Sequence, residues 1–150
     1  MKKEKLAQLL NGRQYGEEMT DEEQLQAEKN GLLVCFGASD DLLEFRGIMS
    51  DEAGIYGGGS IFLYKNKDQK FAFLDEPSYD ELSATLDQKG LPISLKTLPI
   101  KAEWCPEKLD CTWLITTDIP HATFDIYDNE ELYCRGIVLK LSDIKNYLKN

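Results

Sequence analysis

The feature that most constrains the fold is an unbroken apolar run from Leu32 to Phe36, bounded by Gly31 and Gly37. A short apolar run between glycines is typical of a strand buried on both faces, because a half-exposed strand would alternate apolar and polar residues. We therefore expect a central strand at 32–36, followed by a turn over residues 37–41.

Helix signals flank this strand. The clearest is at residues 20–30, where Thr20 and Glu23 have the spacing of a capping box and Asn30-Gly31 ends the apolar-periodic segment. The other helices have similar start or stop residues, such as Ser142 before the last one. The four predicted helices cover residues 2–10, 20–30, 79–89 and 142–148.

Most of the remaining segments predict strands. Residues 43–49 alternate in polarity, with a bulge expected at Gly47. Three hairpins follow along the chain. Their strands cover residues 61–64 with 71–74, 100–104 with 113–117, and 123–127 with 132–141. These patterns predict a single α+β domain over residues 1–150, with a mainly antiparallel sheet and helices packed on one face.

Charge and composition exclude several classes of protein. The 150 residues carry a net charge of −10, from 27 acidic and 17 basic side chains. This field repels phosphate, so we expect no direct nucleic-acid binding through a basic surface. No apolar stretch approaches the ~20 residues of a membrane span, and residues 1–10 predict a helix rather than a signal peptide. We therefore expect a cytoplasmic protein with reduced thiols and no cofactor.

An acidic cluster is the candidate metal site, because divalent cations prefer carboxylate oxygens that converge from neighbouring strands and loops. The spacing matches no specific metal motif, and a solvated loop explains the same residues. The cluster consists of Asp40, Asp41, Glu44, Asp51 and Glu52.

A second set of residues could bind a small anionic ligand. Arginines suit anions, glycines allow close approach of the backbone, and a histidine can act as a general base with Asp118 or Asp125. The alternatives are ion pairs for the arginines, a flexible connection for the glycines and a backbone hydrogen bond for the histidine. The set consists of Arg46, Arg135, His121, Tyr56, Gly58 and Gly59.

Soft zinc ligands occur at Cys105, Cys111, His121 and Cys134. The first two cysteines are further apart than in common zinc motifs. A last hairpin that turns near residues 129–130 would place His121 opposite Val138 and roughly 13 Å along the strand from Cys134. This pattern favours core thiols over a shared zinc ion.

Two segments resemble a known family. FGASDDLLEFRG (36–47), with its continuation to Gly58-Gly59, and TTDIPHATFDIYDNEELYCRGIVLKL (116–141) are similar to small uncharacterised proteins carried by phages and prophages of Gram-positive bacteria. That family has no assigned catalytic residues. The resemblance implies a phage accessory protein that binds a host or defence protein in the host cytoplasm.

Three functions follow from these observations. The acidic charge and the lack of a complete catalytic motif favour a non-enzymatic protein that binds a host or defence protein. A small-ligand binder that sequesters nucleotides is an alternative, and a metal-dependent hydrolase is a second one. Exposed edges of an antiparallel sheet would also allow a homodimer.

Overall fold

The computed structural model of the chain describes residues 1–39, 42–47, 60–65, 71–73 and 100–148. These residues form three helices and a nine-stranded sheet, as an α+β chain requires. In chain order the elements are α1 (Lys3–Leu10), β1 (Arg13–Gln14), α2 (Asp21–Lys29), β2 (Leu32–Ser39), β3 (Leu42–Gly47), β4 (Ser60–Lys65), β5 (Phe71–Phe73), β6 (Ile100–Trp104), β7 (Trp113–Thr117), β8 (His121–Asp128), β9 (Glu131–Lys140) and α3 (Leu141–Leu148).

The sheet is mixed. Its strands follow the order β1-β8-β9-β2-β3-β4-β5, and β7 joins it at β9 and carries β6 on its other edge. Six of the eight described pairings are antiparallel, while β1 with β8 and β7 with β9 are parallel. Neither parallel pairing was predicted, because each joins segments that are not neighbours in the sequence.

Strand β9 holds the sheet together, because it pairs with three other strands. On one edge it pairs with β8 along its whole length. On the other edge its first half pairs with β7, through Cys134 and Arg135, and its second half pairs with β2, from Ile137 onward. Ile137, Val138 and Leu139 are fully buried. Consecutive residues point to opposite faces, so both faces of β9 are covered here.

The predicted central strand is confirmed, since Leu32 to Phe36 are buried and β2 pairs with β9 and β3. The predicted turn at residues 37–41 begins too early, because β2 continues to Ser39. Within the described residues, the ladder between β2 and β3 shifts register between Gly37 and Ser39, whereas Gly47 pairs with Leu33 in register with its neighbour Arg46. Gly47 instead ends β3 with a φ of +108°, a conformation that favours glycine.

Helix α2 begins as the sequence predicts. The Thr20 hydroxyl accepts the Glu23 N–H at 3.2 Å, and a Glu23 carboxylate oxygen accepts the Thr20 N–H at 3.0 Å. Helix α1 packs on β8 and β9 through its buried residues Leu6, Ala7 and Leu10. Helix α3 begins at Leu141, so Ser142 lies inside its first turn and does not cap it as predicted.

All three predicted hairpins are confirmed, as β4 with β5, β6 with β7, and β8 with β9. The last one turns at Asn129, which has a φ of +59°. Its ladder shifts by one residue between Ile126 and Tyr127, so His121 lies opposite Leu139 and not Val138. The helix predicted at residues 79–89 lies outside the described residues. No helix in the described ranges has both the length and the apolar character needed to cross a membrane.

A Gly37→Ala substitution should destabilise the fold by about 1–3 kcal/mol. A Cβ at Gly37 would lie 2.1 Å from the Trp113 ring, which is fully buried, so one of the two groups must shift. Urea unfolding measures the loss. In a Trp113→Leu background the same substitution should cost much less. An equal loss in both backgrounds would show that the indole is not the obstruction.

A Glu23→Gln substitution should destabilise the protein at neutral pH by about 1 kcal/mol. Burial raises the pKa of Glu23, but hydrogen bonds from the Arg13 guanidinium and the Thr20 N–H lower it by more. The net result is a pKa below the usual value. A lowered carboxyl pKa adds stability that is present above the usual pKa and is lost as the pH falls through the folded-state pKa.

The difference between Glu23→Gln and wild type should therefore shrink when urea unfolding is repeated at about pH 3, below the usual glutamate pKa of about 4.3. Glu22→Gln is the matched control, because Glu22 is an exposed carboxylate in the same helical turn. A stability difference for Glu23→Gln that stayed constant with pH would contradict this role for its charge.

Candidate functional site

All three arginines of the chain lie in the described residues, and each one pairs with a carboxylate of the same chain. Arg13 forms a two-pronged contact with Glu23 and so links β1 to α2. The other two arginines are the ligand-binding candidates Arg46 and Arg135. Each is part of an intramolecular ion pair, which is the structural alternative that the sequence allowed.

Arg46 and Glu44 lie two residues apart on β3, so their side chains share one face of the sheet. The Arg46 Nε donates to Glu44 Oε1 at 2.5 Å. Glu44 is only 5% exposed and lies opposite Phe36. A carboxylate buried beside apolar neighbours is costly unless a cation neutralises it. Arg46 therefore neutralises the charge of the buried Glu44 carboxylate.

Arg135 pairs across the sheet with Asp125, the residue directly opposite it on β8. Its Nε and one terminal nitrogen donate to the two Asp125 carboxylate oxygens at 2.8 and 3.2 Å. The hydrogen bonds to Asp125 raise the pKa of Arg135 above its usual value. This bidentate contact uses the guanidinium N–H groups that would otherwise donate to an anionic ligand.

The two arginines do not form one site. Arg46 lies opposite Val34, which in turn lies opposite Val138, so these three residues share a face. Arg135 is an odd number of positions from Val138 on β9, and so its side chain belongs to the other face. The sheet itself separates the two guanidinium groups.

His121 is held by the backbone. Its Nδ1 lies 2.8 Å from the Ile119 carbonyl oxygen, which accepts a hydrogen bond when that nitrogen carries the proton. It shares a strand and a face with Asp125 but lies four residues away, a separation of roughly 13 Å along β8. The general-base pairing of His121 with Asp125 that the sequence allowed is therefore not assembled in this structure, whereas its alternative, the backbone hydrogen bond, is present.

Most residues of the predicted metal site, and half of the predicted ligand-binding residues, lie outside the described residues. The predicted site residues outside the described residues are Asp40, Asp41, Asp51, Glu52, Tyr56, Gly58 and Gly59. Glu44, the described member of the acidic cluster, is paired with Arg46. Within the described ranges no group of three or more histidine, cysteine or acidic side chains has the geometry to hold a metal ion.

The four cysteines differ in exposure. Cys35 and Cys134 are fully buried, and burial raises the pKa of both, that of Cys134 to about 12. Burial also raises the pKa of Cys111, although Arg135 opposes the shift. Cys105 is exposed. A thiolate nucleophile needs a lowered pKa, so the three buried thiols are poorly suited to nucleophilic catalysis.

Sequence reasoning missed an acidic surface where three separate segments meet. Gln14 exchanges two hydrogen bonds with the backbone of Asn129, which fixes the segment after α1 against the β8–β9 turn. An open cavity of about 730 Å³ lies between them, and a second one of about 260 Å³ adjoins it at Glu131. We name their exposed carboxylates the acidic end: Asp110, Asp128, Glu130 and Glu131.

No lysine or arginine of the described residues lines either cavity. The carboxylates of the acidic end are therefore not neutralised by a cation in the cavity walls. A negative surface of this kind attracts cationic groups and repels phosphate. No local sequence pattern signals this surface, because its residues come from the ends of two separate hairpins, β6–β7 and β8–β9.

Comparisons with protein-family models, with curated proteins and with solved structures found no match for this chain.

Alkylation of the native protein should label Cys105 at least about tenfold faster than Cys35 or Cys134. Cys105 is exposed, whereas the other two are buried and have raised pKa values that disfavour the reactive thiolate. Mass spectrometry of peptides after iodoacetamide treatment measures the rates, and the urea-unfolded chain is the control in which the rates should converge. Equally fast native labelling of Cys35 or Cys134 would contradict the described burial.

Proposed function

We propose that this chain is a non-enzymatic acidic protein that binds a basic surface of another protein. The observation that carries the proposal is the internal pairing of all three arginines with carboxylates of the same chain. These pairs use the side chains best suited to bind phosphate, while the net charge stays at −10. A cationic partner is favoured over a nucleotide for this reason.

The acidic end supports the same proposal. Its four carboxylates are exposed at the adjoining ends of two hairpins, and cations are not found in the described cavity walls around them. Exposed charges of one sign steer a partner of opposite charge and select its orientation. Trp104, which is 47% exposed, directly precedes the loop that carries Asp110 and can contribute apolar contact or a cation–π contact.

The biological setting is part of the proposal. The resemblance to phage and prophage proteins of Gram-positive bacteria makes a host or defence protein in the host cytoplasm the expected partner.

We further propose one domain with its helices on one face. Three contacts support this arrangement, since α1 is joined to α3 by Lys3–Asp143, α2 is joined to the segment after α1 by Arg13–Glu23, and the Met1 amino group donates to Asn30. A homodimer stays a prediction.

Neutralising the acidic end should weaken partner binding. The double variant Glu130→Gln/Glu131→Gln removes two exposed carboxylates, and we expect about a tenfold loss of affinity, or about 1.4 kcal/mol. Salt should weaken the wild-type complex as well, because exposed charges are screened. Quantitative capture from a Gram-positive host lysate identifies the partner, and titration of that purified partner measures the loss.

The matched control is Glu4→Gln/Asp118→Asn, which removes two exposed carboxylates away from the acidic end. It should retain wild-type affinity. Equal losses in the two double variants would show that only net charge matters and not this surface. A lysate that yields no saturable partner, together with a nucleotide that raises the melting temperature, would instead favour the nucleotide-binding alternative.

A further inference from the structure

The loop between β6 and β7 begins with Cys105, and a second cysteine, Cys111, comes directly before its last residue, Thr112. The Cys105 N–H donates to the Thr112 carbonyl oxygen at 2.6 Å, and so closes the base of the loop. Cys111 directly precedes Thr112, and its N–H donates to Leu109 at 2.9 Å. Both cysteines line the same cavity of about 260 Å³. Two cysteines therefore lie at the same end of a short loop.

The backbone brings Cys105 and Cys111 close together. A disulfide needs Cα atoms about 4.4–6.8 Å apart, and residues opposite each other in an antiparallel pair lie about 4.5–5.5 Å apart. Cys105 lies opposite Thr112, and Cys111 is one residue further along the chain. Cys105 also has a φ of +50°, so its Cβ leaves the backbone in a direction that differs from that of an ordinary strand residue.

The two thiols have different access to solvent. Cys105 is exposed, whereas Cys111 is 8% exposed and its thiol donates to the Trp113 carbonyl oxygen at 3.3 Å. A thiol reagent therefore reaches Cys105 first, and Cys111 lies behind it as a second thiol. Burial, with a smaller contribution from the nearby Cys105, raises the pKa of Cys111 and so lowers the fraction of its thiol that is present as thiolate.

We propose that Cys105 and Cys111 are a reversible thiol modification site that a small disulfide, such as glutathione disulfide, converts into an intramolecular disulfide. The Cys105 thiolate attacks one sulfur of glutathione disulfide, which forms a mixed disulfide and releases one glutathione. The deprotonated Cys111 then attacks Cys105 Sγ, forms the Cys105–Cys111 bond and releases the second glutathione.

The reaction balances. The two cysteines lose two electrons and two protons, and glutathione disulfide gains them as two glutathione thiols. Excess reduced glutathione reverses both steps. The product fixes the ends of a loop that carries Asp110, one of the carboxylates of the acidic end, although the modification itself does not depend on the proposed partner.

Cys134 is the competing second thiol. It is fully buried, its sulfur accepts the Gly37 N–H at 3.2 Å, and it lies within β9 rather than in the loop. These contacts hold its sulfur on the core side of the sheet. Cys111, which shares the loop and the cavity with Cys105, is the partner that the geometry favours.

The test compares wild type, Cys111→Ser and Cys134→Ala after incubation with glutathione disulfide. Intact mass and tryptic peptide mapping give the products. Trypsin cleaves after Lys108, between the two cysteines, so a Cys105–Cys111 disulfide joins two tryptic peptides. Wild type and Cys134→Ala should lose two hydrogen atoms in mass and yield the joined peptides. Cys111→Ser should instead accumulate the mixed disulfide at Cys105.

Reduction by excess glutathione should restore the starting mass in every case. The proposal is overturned if wild type stops at the mixed disulfide as Cys111→Ser does, or if Cys134→Ala is the variant that fails to close. Thermal unfolding of each variant checks its fold. If Cys111→Ser were unfolded, loss of joined peptides in folded Cys111→Ala would support the same assignment, and their persistence would overturn it.

Discussion

The pairing of strand β9 on both edges, together with the burial of both its faces, is the constraint on which the rest of the structure depends. Its backbone N–H and C=O groups lie in the apolar interior, where an unmade hydrogen bond is costly. β8 satisfies one edge, and β7 and β2 share the other. Gly136 lies between the β7 and β2 segments, where a Cβ would lie 2.4 Å from Phe124.

This junction explains how distant segments of the chain come together. Because the first residues of β7 pair in parallel with the first half of β9, the β6–β7 loop and the β8–β9 turn lie at the same end of the sheet. The cavity shared by Cys105, Cys111 and Glu131 is a result of this arrangement. The proposed thiol site and the acidic end are therefore neighbours because the sheet branches at β9.

The arginine pairs show how a strongly acidic chain can still bury carboxylates. Glu44 and Asp125 each have an arginine on the same sheet face, which offsets part of the cost of removing the carboxylate from water. The same pairing leaves the exposed acids unbalanced. The arginines therefore stabilise the carboxylates that they pair with, and the remaining exposed carboxylates make the surface acidic. That acidic surface is the electrostatic basis of the proposed binding function.

The parts of the fold that were predicted correctly depend on short-range interactions. The capping box at Thr20 and Glu23, the buried strand from residue 32 to 36 and the three hairpins involve residues close in sequence. The errors are also informative. One extra residue at the Ile126/Tyr127 irregularity moved His121 opposite Leu139, because a bulge shifts every later pair by one position and leaves no clear signal in the periodicity.

The sequence by itself determined where α2 begins, which strand is central and which strands form hairpins, because caps, glycine stops and apolar periodicity act within a few residues. Only the tertiary structure decided the parallel pairings, the separation of Arg46 from Arg135 by the sheet, and the meeting of two cysteines with the acidic end. These depend on which distant strands bury one another best, a competition among long-range contacts that no local pattern encodes.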